Sequence, residues 1–443
     1  MKVTVVGSGY VGTTTALVLA GLGHQVIGYD IDAGKVERLN DGELPFTEPG
    51  LDQMLRDLLG SGRITFTSDS RSAVTESEIL MISVGTPSMP NGGADLTYLR
   101  QVLDTIAAHI DGPKIVVTKS TVPIGTNRWM KQRLSDIIDT QKYPVEVISN
   151  PEFLREGEAL YDSLHPSRTV IGGENESAME QVKKLYESLQ TTYLVCNYET
   201  AEMIKYASNG FLAAKISFIN EIARLADRVG ADIRGVAKGM GMDPRISPHH
   251  LYAGIGYGGS CFPKDVDELL YFGSQQKTEL HLLRQVKRIN DSQIAWFADK
   301  MQSILPLEGK RIAVLGVAFK ENTDDQRESP GIKMIEQLLG RGVQEIRVID
   351  PTVASLEQIH WSKGFDRTQL SRVGVLTDAR EAVAGAHAVV LATPWPQFAD
   401  YPWEEWAQIA ESTYFFDGRN YLDPVEMRSK GWHFTGIARG ETT

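Results

Sequence analysis

The alternation of apolar and polar positions divides this chain into short β-branched runs separated by helical stretches. "KVTVVG" at residues 2–7 reads as a buried strand, "GTTTALVLAGLG" at 12–23 as a helix closing on glycine, and "HQVIGYD" at 24–30 as a second strand. Three more strand-like runs follow: "EILMISVG" from Glu78, "KIVVTKS" from Lys114 and "VEVISN" from Val145. Helical stretches between them give the βαβ rhythm of a parallel, doubly wound sheet. The rhythm breaks near residue 199. From there a proline-free run carries Ile204, Phe211, Phe218, Ile222 and Leu225 at helical spacing, which predicts one helix over about 199–228 with Gly210 as a tolerated weak point.

A second αβ block starts after "PLEGK" at 306–310, read as a linker. "RIAVLGVAFK" is a strand and turn, "PGIKMIEQLLGRG" a helix with proline early and glycine late, and "EIRVIDP", "AHAVVLATPWP" and "TYFFDGRN" supply later strands. The blocks match motif for motif: "VVGSGYVG" with "VLGVAFK", "VIGYD" with "RVIDP", "LMISVGTP" with "VVLATPWP". The predicted fold class is α/β, with two Rossmann-like doubly wound domains joined by a long central helix. The expected division is 1–196, 197–305 and 306–443.

A chain of 443 residues is too long for one core, which agrees with several domains. The formal net charge of -12 argues against a general nucleic-acid binder and leaves room for a local basic pocket. Two cysteines, Cys196 and Cys261, make no disulfide framework and point to a reducing compartment. No Cys, His and carboxylate cluster has metal-ligand spacing, so no metal is expected. The adjacent His249 and His250 read as solvated or packing residues. Glycines 7, 9 and 12 interrupt the apolar N-terminus, and no segment runs 18 apolar residues, so the expected location is cytoplasmic.

"GSGYVG", Gly7 to Gly12, fits G-x-G-x-x-G in the required context: after a strand, opening a helix, and ahead of Asp30 at the end of the next strand. Gly7 permits the turn, Gly9 lets backbone approach a pyrophosphate, Gly12 lets the helix pack closely, and the helix N-terminus favours anions. Asp30 accepts from ribose hydroxyls and repels a 2′-phosphate, so the expected cofactor is NAD rather than NADP. The second block has no glycine triplet. Lys320, Arg327 and Arg419 follow its strands, either as a phosphate site or as surface cations on loops. "KSTVPIG" and "NPEFLREG" follow strands of the first block, and Glu152 and Glu156 are either acid/base groups, cofactor contacts or ordinary loop carboxylates. Lys205 and Asn209 lie four apart on one helix face, aimed at an oxyanion or forming a solvated stripe. Cys261, in "GYGGSCFPKD", is either a buried small hydrophobe or a nucleophile. The flanking glycines make a poor core segment, and Lys264 and Asp265 follow at once.

Taken together, "GSGYVG", "VGTPS", "KSTVP", "NPEFLREG", "KYASNGFLA", "GYGGSCFPKD", "FKENTDDQRES" and "FDGRN" resemble, in order and spacing over the whole chain, the UDP-glucose 6-dehydrogenase family within the nucleotide-sugar dehydrogenases. Relatives acting on GDP-mannose or UDP-N-acetylmannosamine share the scheme, and Phe262 favours the UDP-glucose branch. The resemblance implies that Cys261 is the nucleophile, with Thr121, Glu152, Lys205, Asn209 and Asp265 at catalytic positions. It implies NAD contacts from Gly7, Gly9, Tyr10, Val11, Gly12, Asp30, Lys35, Thr86, Thr121, Glu156 and Arg327. For UDP-glucose it implies Glu152, Phe153, Leu154 and Arg155, Lys205 and Asn209, the loop residues Tyr252, Gly254, Gly256, Tyr257 and Gly258, then Phe262, Phe319, Lys320 and Arg419. Arg245 matches an arginine that reaches the neighbouring subunit's substrate, so at least a homodimer is expected, with no nucleic-acid or membrane partner. Tyr252 stands where many members carry lysine. The implied reaction is a four-electron oxidation at C6 to UDP-glucuronate through a thiohemiacetal and a thioester.

Overall fold

Val3 and Val5 pack into one apolar cluster, with Ile79, Met81, Ile115 and Val117, while Leu80, Ile82, Val116 and Val147 enter a second. Such alternation buries a strand on both faces, which is why these strands read as nearly continuous apolar runs. In the computed structural model, which describes residues 1–440, eight strands form this first sheet: β1 (Lys2–Val6), β2 (Gln25–Tyr29), β3 (Ile64–Thr67), β4 (Ile79–Ile82), β5 (Lys114–Thr118), β6 (Val145–Ser149), β7 (Thr169–Gly172) and β8 (Tyr193–Cys196). Their spatial order is β3-β2-β1-β4-β5-β6-β7-β8. The six strands β3 to β6 in that order reproduce the doubly wound order 3-2-1-4-5-6. One detail departs from an all-parallel sheet: β7 runs antiparallel to β6, pairing with it through Ser149 and Gly172.

The second sheet has six strands: β9 (Arg311–Leu315), β10 (Glu345–Ile349), β11 (Val373–Val375), β12 (Ala388–Leu391), β13 (Tyr414–Asp417) and β14 (His433–Thr435). Their order β11-β10-β9-β12-β13-β14 repeats the first topology, and every pairing is parallel. Ile312 and Val314 face one cluster and Ala313 and Leu315 the other, so this sheet is also covered on both sides.

The chain divides into two compact units, Met1–Ser208 with Asp267–Thr278, and Asn209–Val266 with the residues from Glu279 onward. The expected long helix spans Tyr198–Val229 and joins them. Residues 441–443 of the expected third segment lie outside the described residues.

The matched blocks share detailed geometry. Gly7 and Gly316 each follow the first strand of their sheet with φ of +96° and +97°. A Cβ on Gly12 would lie 1.7 Å from the Gly7 carbonyl oxygen, and one on Gly331 would lie 2.5 Å from that of Gly316. The aspartate ending the second strand grips each turn: Asp30 accepts from the Ser8 amide at 2.8 Å, Asp350 from the Val317 amide at 2.6 Å. What differs is the length between turn and helix. The first helix, Tyr10–Gly21, starts at once, whereas residues 317–329 intervene before Pro330–Gly340.

Candidate functional site

In the first unit the glycine-rich turn builds a dinucleotide cradle. Gly12 admits no side chain, so the helix N-terminus sits against the turn. A Cβ at Gly9 would meet nothing within 4 Å, which leaves open ground over amides that no side chain caps. That is the opening a pyrophosphate needs. Asp30 is buried at the rim, its Oδ1 accepting from the Asp32 amide at 3.0 Å and its Oδ2 also taking the Lys35 ammonium at 2.9 Å. A ribose diol fits this carboxylate. Tyr10 donates its hydroxyl to Glu48, and burial beside that carboxylate raises the phenol well above its usual range. Val11 is half-buried in the first turn of the helix. At the carboxyl ends of β4 and β5, Thr86 donates to the Thr121 carbonyl at 2.8 Å, joining two of the expected cofactor residues.

The loop after β6 carries the next group. Lys205 donates to Glu152 Oε1 at 2.7 Å, and both side chains are less than a tenth exposed. Glu152 Oε2 accepts from the Leu154 amide at 2.8 Å. The Phe153 ring has the Arg168 guanidinium 3.9 Å and the Lys205 ammonium 5.5 Å from its centre. Glu156 is buried. Arg155 donates to Asp162 at 2.7 Å and is exposed.

In the second unit Cys261 directly precedes the helix Phe262–Gln275. The Cys261 carbonyl accepts from the Asp265 amide at 2.8 Å, the first turn of that helix. Asp265, in the first turn, is buried and accepts from Asn209 Nδ2 at 2.6 Å and from Lys264 Nζ at 2.7 Å. Lys264 therefore pairs with Asp265. The Cys261 sulfur lies 3.4 Å from the Ser260 hydroxyl.

The glycine loop ahead of Cys261 runs along the carboxyl ends of β9, β12 and β13, the ligand crevice of an open α/β sheet. Arg419, just past β13, donates to the Ala392 carbonyl at 2.7 Å and the Gly256 carbonyl at 2.8 Å. Burial pushes its guanidinium down to about 10. A Cβ on Gly258 would lie 2.2 Å from the Glu328 carbonyl oxygen, and one on Gly259 2.7 Å from the Phe319 ring. Lys320 is half-buried next in sequence. The Phe262 ring meets that of Tyr257 edge to face, 5.9 Å between centres. Arg327 lies on this crevice's insertion but holds Asp325 through two nitrogens, at 2.9 and 2.7 Å. Arg245 is highly exposed and paired with Asp243, and Tyr252 is exposed as well.

Pattern reading missed several residues that position this loop. Asn220 accepts from the Gly254 amide at 2.9 Å, Gln293 donates to the Gly254 carbonyl at 2.9 Å, and Asn290 takes the Tyr257 amide at 2.9 Å while donating to its carbonyl at 3.1 Å. Asn220 and Gln293 are fully buried amides inside helices. An amide at a core position of a helix was the available signal. Glu48 was also missed. It accepts from the Gly157 and Ala159 amides at 2.7 Å each and so ties the "NPEFLREG" loop to Tyr10. Its only signal is a carboxylate in a proline and glycine turn. Among the described residues there is no group of three or more His, Cys, Asp or Glu able to hold a metal ion, and no helix is long and apolar enough to cross a membrane.

Family models match three segments. Residues 1–190 match the NAD binding domain of the UDP-glucose/GDP-mannose dehydrogenase family, 199–292 its central domain and 313–424 its UDP binding domain. A putative UDP-glucose 6-dehydrogenase, YtcA of Bacillus subtilis, is 40% identical over 99% of this chain and 100% of its own length. The UDP-glucose 6-dehydrogenase of Pseudomonas aeruginosa is 38% identical over 99% of this chain and 98% of its own. Among solved structures, a UDP-glucose dehydrogenase from Pyrobaculum islandicum superposes with a TM-score of 0.88 at 36% identity, covering 99% of this chain and 97% of that one. A UDP-D-ManNAc dehydrogenase from Pyrococcus horikoshii gives 0.84 at 32% identity, covering 99% and 100%. With residues 1–190 matching an NAD binding domain and relatives matched from end to end, the chain belongs to the UDP-glucose/GDP-mannose dehydrogenase family of NAD-dependent oxidoreductases.

Proposed function

We propose that this enzyme oxidises UDP-glucose at C6 to UDP-glucuronate, removing four electrons in two steps. The observation that carries the reading is Cys261 at the start of a helix whose first turn holds the buried Asp265. A two-electron alcohol oxidation has no use for a thiol in that place. A passage from alcohol to acid does, because a thiohemiacetal retains the aldehyde-level carbon for the second oxidation and the resulting thioester holds the acyl group until water releases it.

Bound NAD supplies the hydride acceptor at each oxidation. Gly7, Gly9, Gly12 and Asp30 hold it, with Tyr10, Val11, Lys35, Thr86, Glu156 and Arg327 as further contacts. The chain's own groups handle protons and carbon. Asp265 or Lys205, or a water between them, takes the C6 hydroxyl proton in the first oxidation. The Cys261 sulfur then bonds to the aldehyde carbon, giving a thiohemiacetal, and loss of a second hydride and a proton leaves the thioester. Glu152, with Thr121, activates the water whose oxygen replaces sulfur and regenerates the thiol. Lys205 and Asn209 stabilise the oxyanion. Phe319, Lys320, Arg419 and the loop from Tyr252 to Gly258 take the nucleotide part, and Phe153, Leu154, Arg155 and Phe262 the sugar.

The three matched segments serve as cofactor, helical and nucleotide-sugar parts, divided as 1–196, 197–305 and 306–443. Phe211, Phe218 and Leu225 recur every seventh residue on the long helix and are all exposed, a stripe that suits a second copy in a homodimer. Arg245 reaches across that interface. Cys196 and Cys261 are not joined in a disulfide, which suits a cytoplasmic enzyme.

Counting NADH per sugar tests the reading. UDP-glucose should yield two NADH per molecule consumed, with GDP-mannose and UDP-N-acetylmannosamine poor substrates. One NADH per sugar, or a clear preference for another nucleotide sugar, overturns it.

A further inference from the structure

Glu202 stands on the long helix Tyr198–Val229, one turn ahead of Lys205, and the mechanism above gives it no part. It is buried, and among the described residues no lysine, arginine or histidine is paired with it. A carboxylate so placed is costly unless strong donors meet it. Three N–H groups do. Glu202 Oε2 accepts from the Gly125 amide at 2.6 Å, and Oε1 accepts from the Asn127 amide at 2.8 Å and from Asn127 Nδ2 at 2.7 Å.

These donors open the helix Thr126–Ile137. Its N-cap is Gly125, with φ of +91° and no side chain to cap the first turn. The cap comes instead from another helix, and a carboxylate suits the positive end of the helix dipole. The arrangement therefore fastens the start of one helix to the helix that carries Lys205.

The clamp also closes one end of the loop bearing Thr121. The other end is held at the sheet. Lys119, whose ammonium burial pushes down to about 8, donates to Asn150 Oδ1 at 3.2 Å. Ser120 donates to the Val84 carbonyl at 2.7 Å, and Thr86 to the Thr121 carbonyl at 2.8 Å. Between the two anchors, residues 121–125 are neither helix nor strand, and Val122 joins the apolar cluster of Met130, Leu134 and Tyr198. The path of such a segment depends on how its ends are fixed.

We propose that Glu202 is a positioning residue of this reaction: its clamp on Gly125 and Asn127 sets Thr121 against the water that releases the acyl group. The inference rests on the roles given to Thr121 and Cys261 in the proposed reaction. Thr121 enters that reaction at the water step, so a slackened clamp is felt there before it is felt in either oxidation.

Glu202→Gln keeps the size of the side chain but turns an NH2 group toward one of the three donors. With saturating UDP-glucose and NAD, stopped-flow absorbance should then show a burst approaching two NADH per active site, followed by a steady rate roughly tenfold below wild type. The kcat and the KM for UDP-glucose should fall together, because an accumulating acyl-enzyme lowers both. Enzyme acid-quenched with labelled UDP-glucose should carry more label on the Cys261 peptide than wild type. Glu202→Asp keeps the charge and should recover part of the rate. Asn127→Ala removes one donor, leaves Glu202 in place and should give the same burst with a smaller loss, so it carries the test if Glu202→Gln does not fold. A folded Glu202→Gln enzyme with kcat within about twofold of wild type, or one slowed without a burst and with kcat/KM falling alongside kcat, overturns the proposal, while two NADH per sugar from wild type leave the reaction itself standing. One NADH per sugar from wild type, with no label on Cys261, overturns the proposed reaction and this inference with it.

Discussion

Lys205 and Glu152 form a buried ion pair, 2.7 Å between Nζ and Oε1, which links the loop after β6 to the long helix Tyr198–Val229. Removing one partner strands the other's charge away from water, at a cost of about 3–5 kcal/mol. Lys205→Ala should therefore lower both stability and rate. A drop in kcat of roughly 10²-fold or more is expected if Lys205 handles the proton and oxyanion. Thermal melts and steady-state NADH production, measured on the same preparations, check both. Full activity in a merely destabilised Lys205→Ala variant contradicts the catalytic role.

Cofactor choice rests on Asp30. Its carboxylate should repel the 2′-phosphate of NADP while accepting from the ribose of NAD. Asp30→Ala also releases Lys35, now 2.9 Å from Oδ2, as a cation for that phosphate. The variant should use NAD less well and NADP better, narrowing the ratio of kcat/KM values by tenfold or more. A wild-type preference for NADP contradicts the assignment.

The amide clamp on the glycine loop, proposed to line the substrate, yields a third prediction. Asn220→Leu leaves the Gly254 amide without its side-chain acceptor, a loss of about 1–3 kcal/mol for a buried group. Binding of UDP-glucose, followed by calorimetry, should weaken, while NAD affinity stays within twofold because Asn220 belongs to the second unit. Equal loss of both ligands would point to general unfolding.

The apolar stripe makes a prediction about assembly. Phe211→Glu with Phe218→Glu should abolish the proposed dimer in sedimentation velocity, because like charges would face each other in a two-fold interface. A wild-type protein that sediments as a fully active monomer contradicts the shared site.

Stability should follow pH through Lys119. Its ammonium is held down to about 8, against about 10.5 in the unfolded chain. Between those values the unfolded state binds the extra proton, so stability rises as pH increases through the window. The gain approaches on the order of 3 kcal/mol, and Lys119→Met should lose it. Denaturant titrations at pH 7.5 and 10 on both proteins measure the difference.

Much of this was legible from residues alone. The strand after Met1, the glycine turn and the helix from 198 to 229 obey local rules of period and packing, and the repeated motif pairs foretold two sheets of one topology. Contacts distant in sequence were not legible. Asn290 meets Tyr257, and Glu48 caps a turn at Gly157, because of how helices and loops pack, and neither carries a periodic signal. The bond from Lys264 to Asp265 was not legible either, since adjacency in sequence does not say which neighbour a flexible side chain meets. The antiparallel entry of β7 was hidden too, because a four-residue strand does not encode its direction.

The central claim is that Cys261 carries the acyl group between the two oxidations. The most direct measurement is acid quench during turnover with labelled UDP-glucose and NAD, followed by peptide mapping. Label should appear on the peptide containing Cys261 and leave it on treatment with hydroxylamine, while Cys261→Ala stays unlabelled, binds NAD normally and loses at least 10²-fold in rate, on the order of 3 kcal/mol in barrier. A Cys261→Ala enzyme that still makes two NADH per sugar at near wild-type rate would contradict the account.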